Sequence, residues 1–492
     1  MTSAILGVDQ GTTRTKAIVF DQSARPLSET DAEFPLIYPE PGWVELDPML
    51  LMQSVVNTAK SALAATDADV VAMGLDNQGE TVVAWDRRDG RPIYNAIVWQ
   101  DRRTDPECER LKASGAEDLI RERTGLPIDP YFSATKIRWL LDNVPGARAL
   151  AEGGHLLAGT TDTWMLWHLT GRFVTDDSTA SRTMLYNPRT RDWDPDVLAL
   201  LDIPRSILPT IQPSLSDFGP VRADILGRSL PITASLVDQQ AALFGQACYT
   251  PGDLKVTYGT GAFILQNAGS TIPTSEHGLL PTVAWSTADQ VTYALDGGIY
   301  VAGAIVQWLR DELGIIRTAA ETADLAASVP DTGGVVFVPA LAGLAAPYWD
   351  SYARGTLIGL TRGTSRAQIV RAALEGIAYR TRDVVDAMVS DTGRPVSRIK
   401  VDGGASANTF LMQFLADILQ TEVLVAAIPE ATALGAALMA GLGAGIWQNE
   451  TDLAALWRAG RTYSPQPLPD LDARYRQWSR AVERSIGWAK PE

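Results

Sequence analysis

The 492-residue chain is poor in the residues on which several classes of protein depend. It has two cysteines, Cys108 and Cys248, which lie far apart, and three histidines, His155, His168 and His277, which have no clustered partner. This scarcity disfavours a disulfide framework, a zinc site and histidine-based catalysis. Each histidine is expected to be structural, and so few cysteines fit a reducing compartment.

The chain also lacks any run of about eighteen uninterrupted apolar residues, and its start, MTSAILGVDQG, has no basic leader. We therefore predict a cytoplasmic protein with no membrane partner. Positive charge is scarce as well, since 42 Lys and Arg against 58 Asp and Glu give a net charge of −16. Such a charge repels nucleic acid and anionic membranes, but it does not repel a small neutral substrate.

What the sequence does contain indicates an α/β protein of two domains. The length exceeds what one hydrophobic core usually serves. A strand, a tight turn and a second strand are predicted twice, in AILGVDQGTTRTKAIVFD at the start and in DLKVTYGTGAFILQ at 253–266. We predict two related halves, residues 1–247 and 248–492, with a ligand cleft between them.

Helix signals fall between the strands. Asp47 followed by Pro48 predicts the start of a helix, and Ser365 predicts the start of a long helix that ends before Gly393. Near the C-terminus, apolar residues recur at steps of three and four, which predicts a helix whose apolar face docks on a domain. These residues are Tyr475, Trp478, Val482 and Ile486.

The first glycine-rich turn, in VDQGTTRTK, has the composition of a phosphate site. The backbone N–H groups of Gly11, Thr12 and Thr13 are expected to form an anion-binding nest, with Lys16 nearby. Asp9 ends the preceding strand, where a hydrated Mg²⁺ would be held, because Mg²⁺ prefers few carboxylates and several waters. The same short motif is also typical of a plain hairpin turn.

Two further glycine-rich turns extend this pattern. TYGTGAFI lacks the following helix that a dinucleotide fingerprint requires. IKVDGGASANTFLMQFLADIL predicts a strand, a glycine pair and an amphipathic helix whose N-terminal amides and Asn408 would meet a nucleotide, although an ordinary strand-to-helix turn gives the same pattern. The chain has no GxxxxGK[ST] motif, so we predict a nucleotide clamped between the halves without a P-loop.

A candidate for proton transfer lies in ASLVDQQAALFG. Asp238 is predicted at the exit of a strand and the start of an Ala-rich helix, where it is the helix N-cap, a general base, or both. As a base it would accept the proton of an alcohol while a phosphoryl group arrives. Gln239 would orient that alcohol.

Taken together, these motifs resemble the FGGY carbohydrate kinases, and among them the glycerol kinases, over nearly the whole chain. The motifs that carry the resemblance are DQGTT (9–13), PGWVELDP (41–48), IYNAIVWQDRRT (93–104), DPYFSATKIRWLLDN (129–143), VDQQAALFGQ (237–246), TYGTGAF (257–263), AGAIVQWLRDE (302–312), GLAAPYWDSYARGTLIGLTRG (343–363) and VDGGASAN (401–408).

The resemblance implies two actin-like, ribonuclease-H-like domains and an ATP- and Mg²⁺-dependent kinase that phosphorylates a terminal hydroxyl of a small polyol. It assigns the general base to Asp238 and places Asp9 next to Mg²⁺. The implied polyol-binding residues are Gly79, Glu80, Trp99, Tyr131, Asp238, Gln239 and Phe263. The implied nucleotide-binding residues are Thr12, Thr13, Arg14, Lys16, Thr260, Gly303, Gln307, Gly404 and Asn408. Relatives of this kind also suggest a homo-oligomer, a dimer or a tetramer.

One departure from the family pattern bears on substrate choice. Glycerol kinases typically have NQRET where this chain has NQGET at 77–81. Loss of that charged donor is expected to weaken glycerol binding by about ten- to a hundredfold. The freed space predicts a longer alditol, such as erythritol or threitol, although Gly79 is alternatively a glycine kept for backbone geometry.

Two smaller departures and two rival functions complete the sequence-based expectations. DILGRSLPITAS (224–235) lacks the glycine pairs of the loop that binds fructose bisphosphate in regulated relatives, so that inhibition is not expected. Lys16 replaces an arginine, keeping the charge but losing the planar fork, and ATP use is expected to survive. The alternative functions are an FGGY kinase for a pentitol or ketopentose and an actin-like ATPase switch.

Overall fold

The structure, a computed structural model, describes residues 3–490, which form two successive α/β halves, each with one large mixed sheet. The first half ends with the helix Asp238–Gly245, and the second begins with the strand Leu254–Tyr258. The outer limits predicted for the domains, residues 1 and 492, lie outside the described residues.

The elements of the first half, in chain order, are as follows. The strands are β1 (Ser3–Gln10), β2 (Arg14–Phe20), β3 (Pro26–Glu33), β4 (Glu45–Leu46), β5 (Asp69–Asn77), β6 (Val82–Asp86), β7 (Arg91–Pro92), β8 (Ala96–Ile97), β9 (Leu156–Thr160), β10 (Val174–Asp176), β11 (Tyr186–Asn187), β12 (Asp192–Trp193), β13 (Thr210–Gln212), β14 (Leu215–Val221) and β15 (Leu230–Val237). The helices are α1 (Pro48–Ala64), α2 (Asp105–Ala113), α3 (Glu117–Thr124), α4 (Ser133–Asn143), α5 (Ala147–Glu152), α6 (Thr161–Thr170), α7 (Asp177–Ala180), α8 (Pro195–Leu201), α9 (Ala223–Leu226) and α10 (Asp238–Gly245).

The second half continues the same numbering. Its strands are β16 (Leu254–Tyr258), β17 (Ala262–Gly269), β18 (Leu280–Ser286), β19 (Val291–Ile299), β20 (Val336–Val338), β21 (Thr356–Ile358), β22 (Arg398–Asp402), β23 (Glu422–Ala426) and β24 (Ala459–Tyr463). Its helices are α11 (Gly303–Asp311), α12 (Glu321–Ala327), α13 (Arg366–Thr392), α14 (Thr409–Leu419), α15 (Ala431–Gly443), α16 (Glu450–Ala454) and α17 (Leu471–Ser485). Short 3₁₀ helices span Arg205–Ile207 and Gly404–Ala407.

The two large sheets share the same spatial arrangement of six strands, and β18 is an additional edge strand in the second sheet. Their orders are β14-β15-β5-β1-β2-β3 and β18-β19-β17-β16-β22-β23-β24. In both sheets an antiparallel hairpin, β1–β2 or β16–β17, is followed by two parallel neighbours, β5 and β15 or β22 and β23. An antiparallel strand, β14 or β24, then closes the series. The repeated pattern confirms the prediction of two related halves and an actin-like α/β fold.

Capping residues set the ends of two predicted helices. Asp47 accepts a backbone N–H in the first turn of α1, whose first residue is Pro48. Ser365 and Gln368 form a reciprocal capping box at the start of α13, and Gly393 ends that helix in the left-handed conformation with φ 65°. Both helix predictions are confirmed.

The C-terminal helix α17 docks on the second half, as predicted. Trp478 and Val482 are buried in the core of that half, and Tyr475 packs at its edge. The prediction was wrong for Ile486, which is 44% exposed, because the helix ends at Ser485 and Ile486 turns away from the face.

Two helices cross where the halves meet. Helix α10 lies against β16, β17 and β18 of the second half, whereas α15 lies on β1, β5 and β15 of the first. A Cβ at Gly435 of α15 would lie only 1.8 Å from the Ala241 carbonyl oxygen, and a Cβ at Gly245 would lie 2.1 Å from a backbone oxygen of α15. The halves are therefore joined by backbone-to-backbone packing that only glycine permits.

Both cysteines and one of the three histidines pack against other side chains of the fold. Cys108 and Cys248 are buried and free. The His168 ring packs edge-on against Trp164 at 4.0 Å, and burial lowers the His168 pKa to about 4, so the ring is neutral at physiological pH. Within residues 3–490, no helix combines the length and apolar character needed to cross a lipid bilayer.

Candidate active site

A cavity of about 880 Å³ separates the β1–β2 turn of the first half from the β22–α14 connection of the second. Among the residues that line it are Asp9, Thr12, Thr13, Arg14, Lys16 and Gly404. A polar turn from the large sheet of each half thus lines the same cleft. Such turns suit a polyphosphate ligand.

The β1–β2 turn differs from the predicted anion nest at one residue. The Gly11 N–H donates to the Arg14 carbonyl oxygen (2.9 Å), because the turn closes with its own backbone hydrogen bond. The nest prediction is therefore wrong for the Gly11 N–H, although Gly11, Thr12 and Thr13 all line the cavity. The Thr12 hydroxyl also accepts a hydrogen bond from the Trp99 indole N–H (2.9 Å), which fixes Trp99 beside the turn.

Arg14 and Lys16 also line the cavity, and both contact carboxylates. Arg14 Nη2 lies 2.8 Å from a Glu33 oxygen. Lys16 Nζ lies 2.9 Å from Glu29 and 2.7 Å from Glu430, the residue that precedes α15. The Lys16–Glu430 ion pair therefore spans the two halves, and a phosphate bound here would compete with Glu430 for the lysine.

Asp9 adjoins a buried carboxylate that sequence analysis missed. Parallel pairing of β1 and β5 places Asp76 in register with Asp9. Neither Asp76 oxygen receives a hydrogen bond from the described residues. Burial raises the Asp9 pKa to about 6, and burial together with the Asp9 charge raises the Asp76 pKa well above its usual value. Both shifts favour the protonated acids, so this pair of side chains is not readily ionised together unless a cation is bound.

This carboxylate pair fits a Mg²⁺ site. A divalent cation would offset the charge of Asp9 and Asp76, and Mg²⁺ is usually bound by one or two carboxylates, waters and substrate phosphates. No group of three or more His, Cys, Asp or Glu side chains within residues 3–490 is arranged to hold a metal ion alone. A cation held by Asp9 and Asp76 would take its remaining ligands from waters or from a bound phosphate.

Asp238 is the first residue of α10 and is partly buried. Val237 occupies the N-cap, so the alternative that Asp238 caps the helix is wrong, although its carboxylate accepts the N–H of Gln239 (2.6 Å). Burial, followed by the charges of Asp9 and Glu80, raises the Asp238 pKa to about 7. A pKa near neutrality suits a group that accepts and returns a proton.

Gln239 is held by a lysine from the other half. Lys255 of β16 is buried, and its Nζ donates to Gln239 Oε1 (2.6 Å) and to the Thr257 hydroxyl (3.0 Å). Burial lowers the Lys255 pKa, and the Lys255 charge in turn opposes the rise in the Asp238 pKa. This lysine therefore acts on both residues predicted to meet the alcohol.

Glu80 is buried and forms an ion pair with Arg182 (Nε to Oε1, 2.8 Å). The Arg182 guanidinium also lies 5.7 Å from the centre of the Tyr131 ring. Trp99 packs edge-to-face with Tyr131 at 5.7 Å and with Phe263 at 6.4 Å. The structure thus brings together an acidic acceptor and three aromatic walls contributed by both halves.

Gly79 adopts a backbone conformation that other residues also adopt, since its φ is not positive. The alternative that a glycine is kept here for backbone geometry is therefore not supported. A Cβ at Gly79 would lie 3.0 Å from Val237 Cγ2 and 3.8 Å from Arg182 Cγ. Position 79 is closely packed on the Val237 side. The space gained by having glycine instead of arginine is therefore smaller than the volume of an arginine side chain.

The β16–β17 turn lies directly against the start of α11. The Gly303 N–H donates to the Gly259 carbonyl oxygen (3.0 Å), and the Thr260 carbonyl oxygen accepts from Ala302 N (2.9 Å). A Cβ at Gly303 would lie 2.5 Å from the Gly259 oxygen, so this approach requires glycine. Gln307 follows on α11, where it is exposed.

The third glycine-rich turn has the predicted order of strand, glycine pair and helix, with a 3₁₀ helix in between. A Cβ at Gly404 would meet nothing within 4 Å, so the backbone here is open to a ligand. The Asn408 amide is engaged at both ends, because Oδ1 accepts from Leu411 N (3.0 Å) and Nδ2 donates to the Thr322 hydroxyl (2.9 Å).

Four buried charged residues of this region were not predicted from the sequence: Asp76, Arg182, Lys255 and Asp296. A local signal existed for Asp76 and Lys255, because each is a charged residue in a strand of mostly apolar residues. None existed for the pairing of Arg182 with Asp296, which joins distant segments.

Two α/β halves of one topological pattern, a cleft between their polar turns and a carboxylate, Asp238, near enough to Asp9 for that charge to raise its pKa together indicate the actin-like class of kinases. Comparison with protein families agrees. Residues 4–245 match the N-terminal domain of the FGGY family of carbohydrate kinases, and residues 254–444 match its C-terminal domain. The chain belongs to this family.

Individual relatives cover the chain from end to end. It is 53% identical to glycerol kinase 2 of Thermotoga maritima and 51% identical to a glycerol kinase of Pseudothermotoga lettingae, in each case over 99% of both chains. Among solved structures, the glycerol kinase of Plasmodium falciparum with ADP superposes with a TM-score of 0.93 at 35% identity, over 98% of both chains.

Proposed function

We propose that this protein is an ATP- and Mg²⁺-dependent kinase that phosphorylates a terminal hydroxyl of a small polyol. The observation that carries the proposal is Asp238, a carboxylate at the start of α10 that is near enough to Asp9, which lines the cavity, and to Glu80 for both charges to add to the burial that raises its pKa to about 7. The high identity to glycerol kinases supports the polyol class. We also propose a domain boundary at residues 247 and 248.

In the proposed reaction, Asp238 accepts the proton of the terminal hydroxyl while the hydroxyl oxygen forms a bond to the γ-phosphorus of ATP. The bond from that phosphorus to the bridging oxygen of ATP breaks, and ADP leaves. Gln239 and Glu80 orient the alcohol, and positioning supplies most of the acceleration. A Mg²⁺ at Asp9 would supply charge neutralisation for the phosphate oxygens.

The aromatic walls have a second role in this proposal. Trp99, Tyr131 and Phe263 present carbon surfaces to the polyol carbons, while the hydroxyls face the charged residues. A closed pocket of this kind excludes water, which limits wasteful hydrolysis of ATP. An actin-like ATPase switch would have no use for such a lining, which disfavours that rival.

Substrate length is the finer part of the proposal. With Gly79 in place of an arginine, we propose that the enzyme accepts a four-carbon alditol such as erythritol or threitol, with glycerol as a weaker substrate. An FGGY kinase for a pentitol or ketopentose is the alternative, because the same space serves a longer chain.

Coupled measurement of ADP release over a panel of C3 to C6 polyols and ketoses tests both levels. Turnover of any small polyol supports the kinase, a higher kcat/KM for erythritol or threitol than for glycerol supports the proposed substrate length, and a strong preference for glycerol overturns that length. Preference for a pentitol or ketopentose supports the alternative, and ATP hydrolysis indifferent to every polyol refutes both. We further expect a cytoplasmic homo-oligomer, a dimer or a tetramer, and light scattering of the purified protein measures its state.

A further inference from the structure

Arg182 joins the two halves behind the proposed polyol pocket. Its Nε donates to Glu80 Oε1 (2.8 Å), and its Nη2 lies 3.0 Å from Asp296 Oδ2. Glu80 and Arg182 belong to the first half, whereas Asp296 lies on β19 of the second. The three side chains are 3–5% exposed, so this ion triad is isolated from solvent.

A buried triad of this kind is weak evidence for stability. Removing charges from water costs free energy that ion pairing often fails to recover. The triad is also incompletely satisfied, because neither Arg182 Nη1 nor Asp296 Oδ1 has a hydrogen-bond partner among the described residues. A role beyond holding the fold together is therefore the better explanation of its presence.

The contacts of the triad connect the two ligand regions. Arg182 contacts Oε1 of Glu80, so Oε2 is the oxygen that would accept a hydrogen bond from a polyol hydroxyl. Asp296 pairs in register with Leu265 of β17, the strand that carries Phe263 and follows the Thr260 turn. Strand β19 itself leads into the start of α11. The Arg182 guanidinium thus contacts Glu80, in the region proposed to bind the polyol, and Asp296 of β19, the strand that leads to the region proposed to bind the nucleotide.

We propose that Arg182 is a positioning residue that fixes the Glu80 carboxylate for the polyol and couples polyol binding to nucleotide binding through Asp296. This inference rests on the proposed function of Glu80 as a polyol ligand. It requires that polyol increase the affinity for nucleotide and that nucleotide increase the affinity for polyol by the same factor, since such coupling is reciprocal.

Two conservative variants separate the two roles. Arg182→Lys keeps a positive charge but loses the planar fork that serves both carboxylates. Asp296→Asn keeps the side-chain size and leaves the Arg182–Glu80 pair in place. The matched control is Ser286→Ala, which removes two other buried hydrogen bonds between the halves: Ser286 Oγ donates to Asp177 Oδ2 (2.7 Å) and accepts from Ser214 N (3.0 Å).

For each full-length variant, kcat and the polyol KM are measured, together with the Kd of a non-hydrolysable ATP analogue with and without polyol. Arg182→Lys is expected to raise the polyol KM by about ten- to a hundredfold, the range for a hydrogen bond to a charged group, with kcat changed far less. Asp296→Asn is expected to abolish the effect of polyol on the analogue Kd. Ser286→Ala is expected to lower Tm, while the polyol KM and the effect of polyol on the analogue Kd stay as in the wild type.

The outcomes distinguish this inference from the function on which it rests. A wild-type protein that turns over no polyol overturns the proposed function. An active wild type whose Arg182→Lys and Asp296→Asn variants lose Tm but keep the wild-type KM and coupling shows a purely structural triad and overturns the inference. If Arg182→Lys does not fold, the Asp296→Asn variant is sufficient by itself: an unchanged effect of polyol on nucleotide affinity in that variant overturns the inference.

Discussion

Lys255 and Gln239 are joined across the two halves by a hydrogen bond of 2.6 Å from the lysine Nζ to the glutamine Oε1. An ammonium group only donates, so this contact fixes which end of the Gln239 amide faces the lysine. The Nε2 end is left to donate to a ligand. A polyol hydroxyl in the cleft can then accept from Gln239 while it donates to Asp238, which is the orientation that deprotonation requires.

Replacing Lys255 with Met should therefore impair polyol binding. Lys255→Met keeps the length of the side chain and releases the Gln239 amide, so we expect the polyol KM to rise about ten- to a hundredfold, with the KM for ATP changed little. Thr257→Val is the control, because it removes the other acceptor of Lys255 and leaves Gln239 held. Steady-state kinetics with each substrate varied in turn measures both constants. An unchanged polyol KM in Lys255→Met would contradict the amide assignment.

The raised pKa of Asp238 predicts an acid limit to activity. The ionised form accepts the proton, and its pKa is about 7, so kcat/KM for the polyol should fall about tenfold per pH unit below the limit. A cation bound at Asp9 would offset the Asp9 charge, which raises the Asp238 pKa. We therefore expect the acid limit of activity at pH 7 or lower. Lys255→Met should shift it to higher pH, since Lys255 lowers the Asp238 pKa. A rate that keeps rising towards pH 5 would refute the assignment.

Asp238→Asn separates the base from the fold. We expect turnover to be abolished while ATP still binds. Tm at neutral pH should be equal or higher, because the variant removes a charge that burial disfavours. Turnover is measured by ADP release, ATP binding by calorimetry and Tm by differential scanning. Near-normal turnover would eliminate Asp238 as the base.

Local signals in the sequence were sufficient for much of the fold. The caps at Asp47 and Ser365 and the glycine end at Gly393 each depend on a few adjacent residues, so they could be predicted. The two hairpins were recognisable because apolar strands flank each glycine turn. Ile486 shows the limit of periodicity, which identifies a face but not the residue at which a helix ends.

The electrostatics of the site depend on pairing that no local pattern encodes. Asp76 matters because the parallel register of β1 and β5 sets it beside Asp9. Lys255 and Asp296 matter because the second half presents them to Gln239 and Arg182 of the first. The hydrogen bond from the Gly11 N–H to the Arg14 carbonyl oxygen could not be predicted either, since a turn of the same sequence can close in several ways.

The crossing of α10 and α15 predicts a position at which one methyl group is costly. Gly435→Ala would place a Cβ 1.8 Å from the Ala241 carbonyl oxygen, so the helices must separate. We expect a loss of about 1–3 kcal/mol in the free energy of unfolding, or more. Gly363→Ala is the control, because its nearest atom lies 3.9 Å away. Urea denaturation of both variants measures the difference, and equal stabilities would contradict the packing.

Gly79 predicts the direction in which substrate preference can be changed. Gly79→Arg restores the charged donor of relatives and fills the pocket, so the ratio of kcat/KM for glycerol to that for erythritol should rise about ten- to a hundredfold. Gly79→Ala is the matched control: its Cβ would lie 3.0 Å from Val237 Cγ2, so it reports the crowding without the guanidinium. We expect Gly79→Ala to weaken both substrates to a similar extent. Kinetics with glycerol, erythritol, threitol and xylitol measures the preference, and a wild type that strongly prefers glycerol would show that another donor already performs the role of the missing arginine.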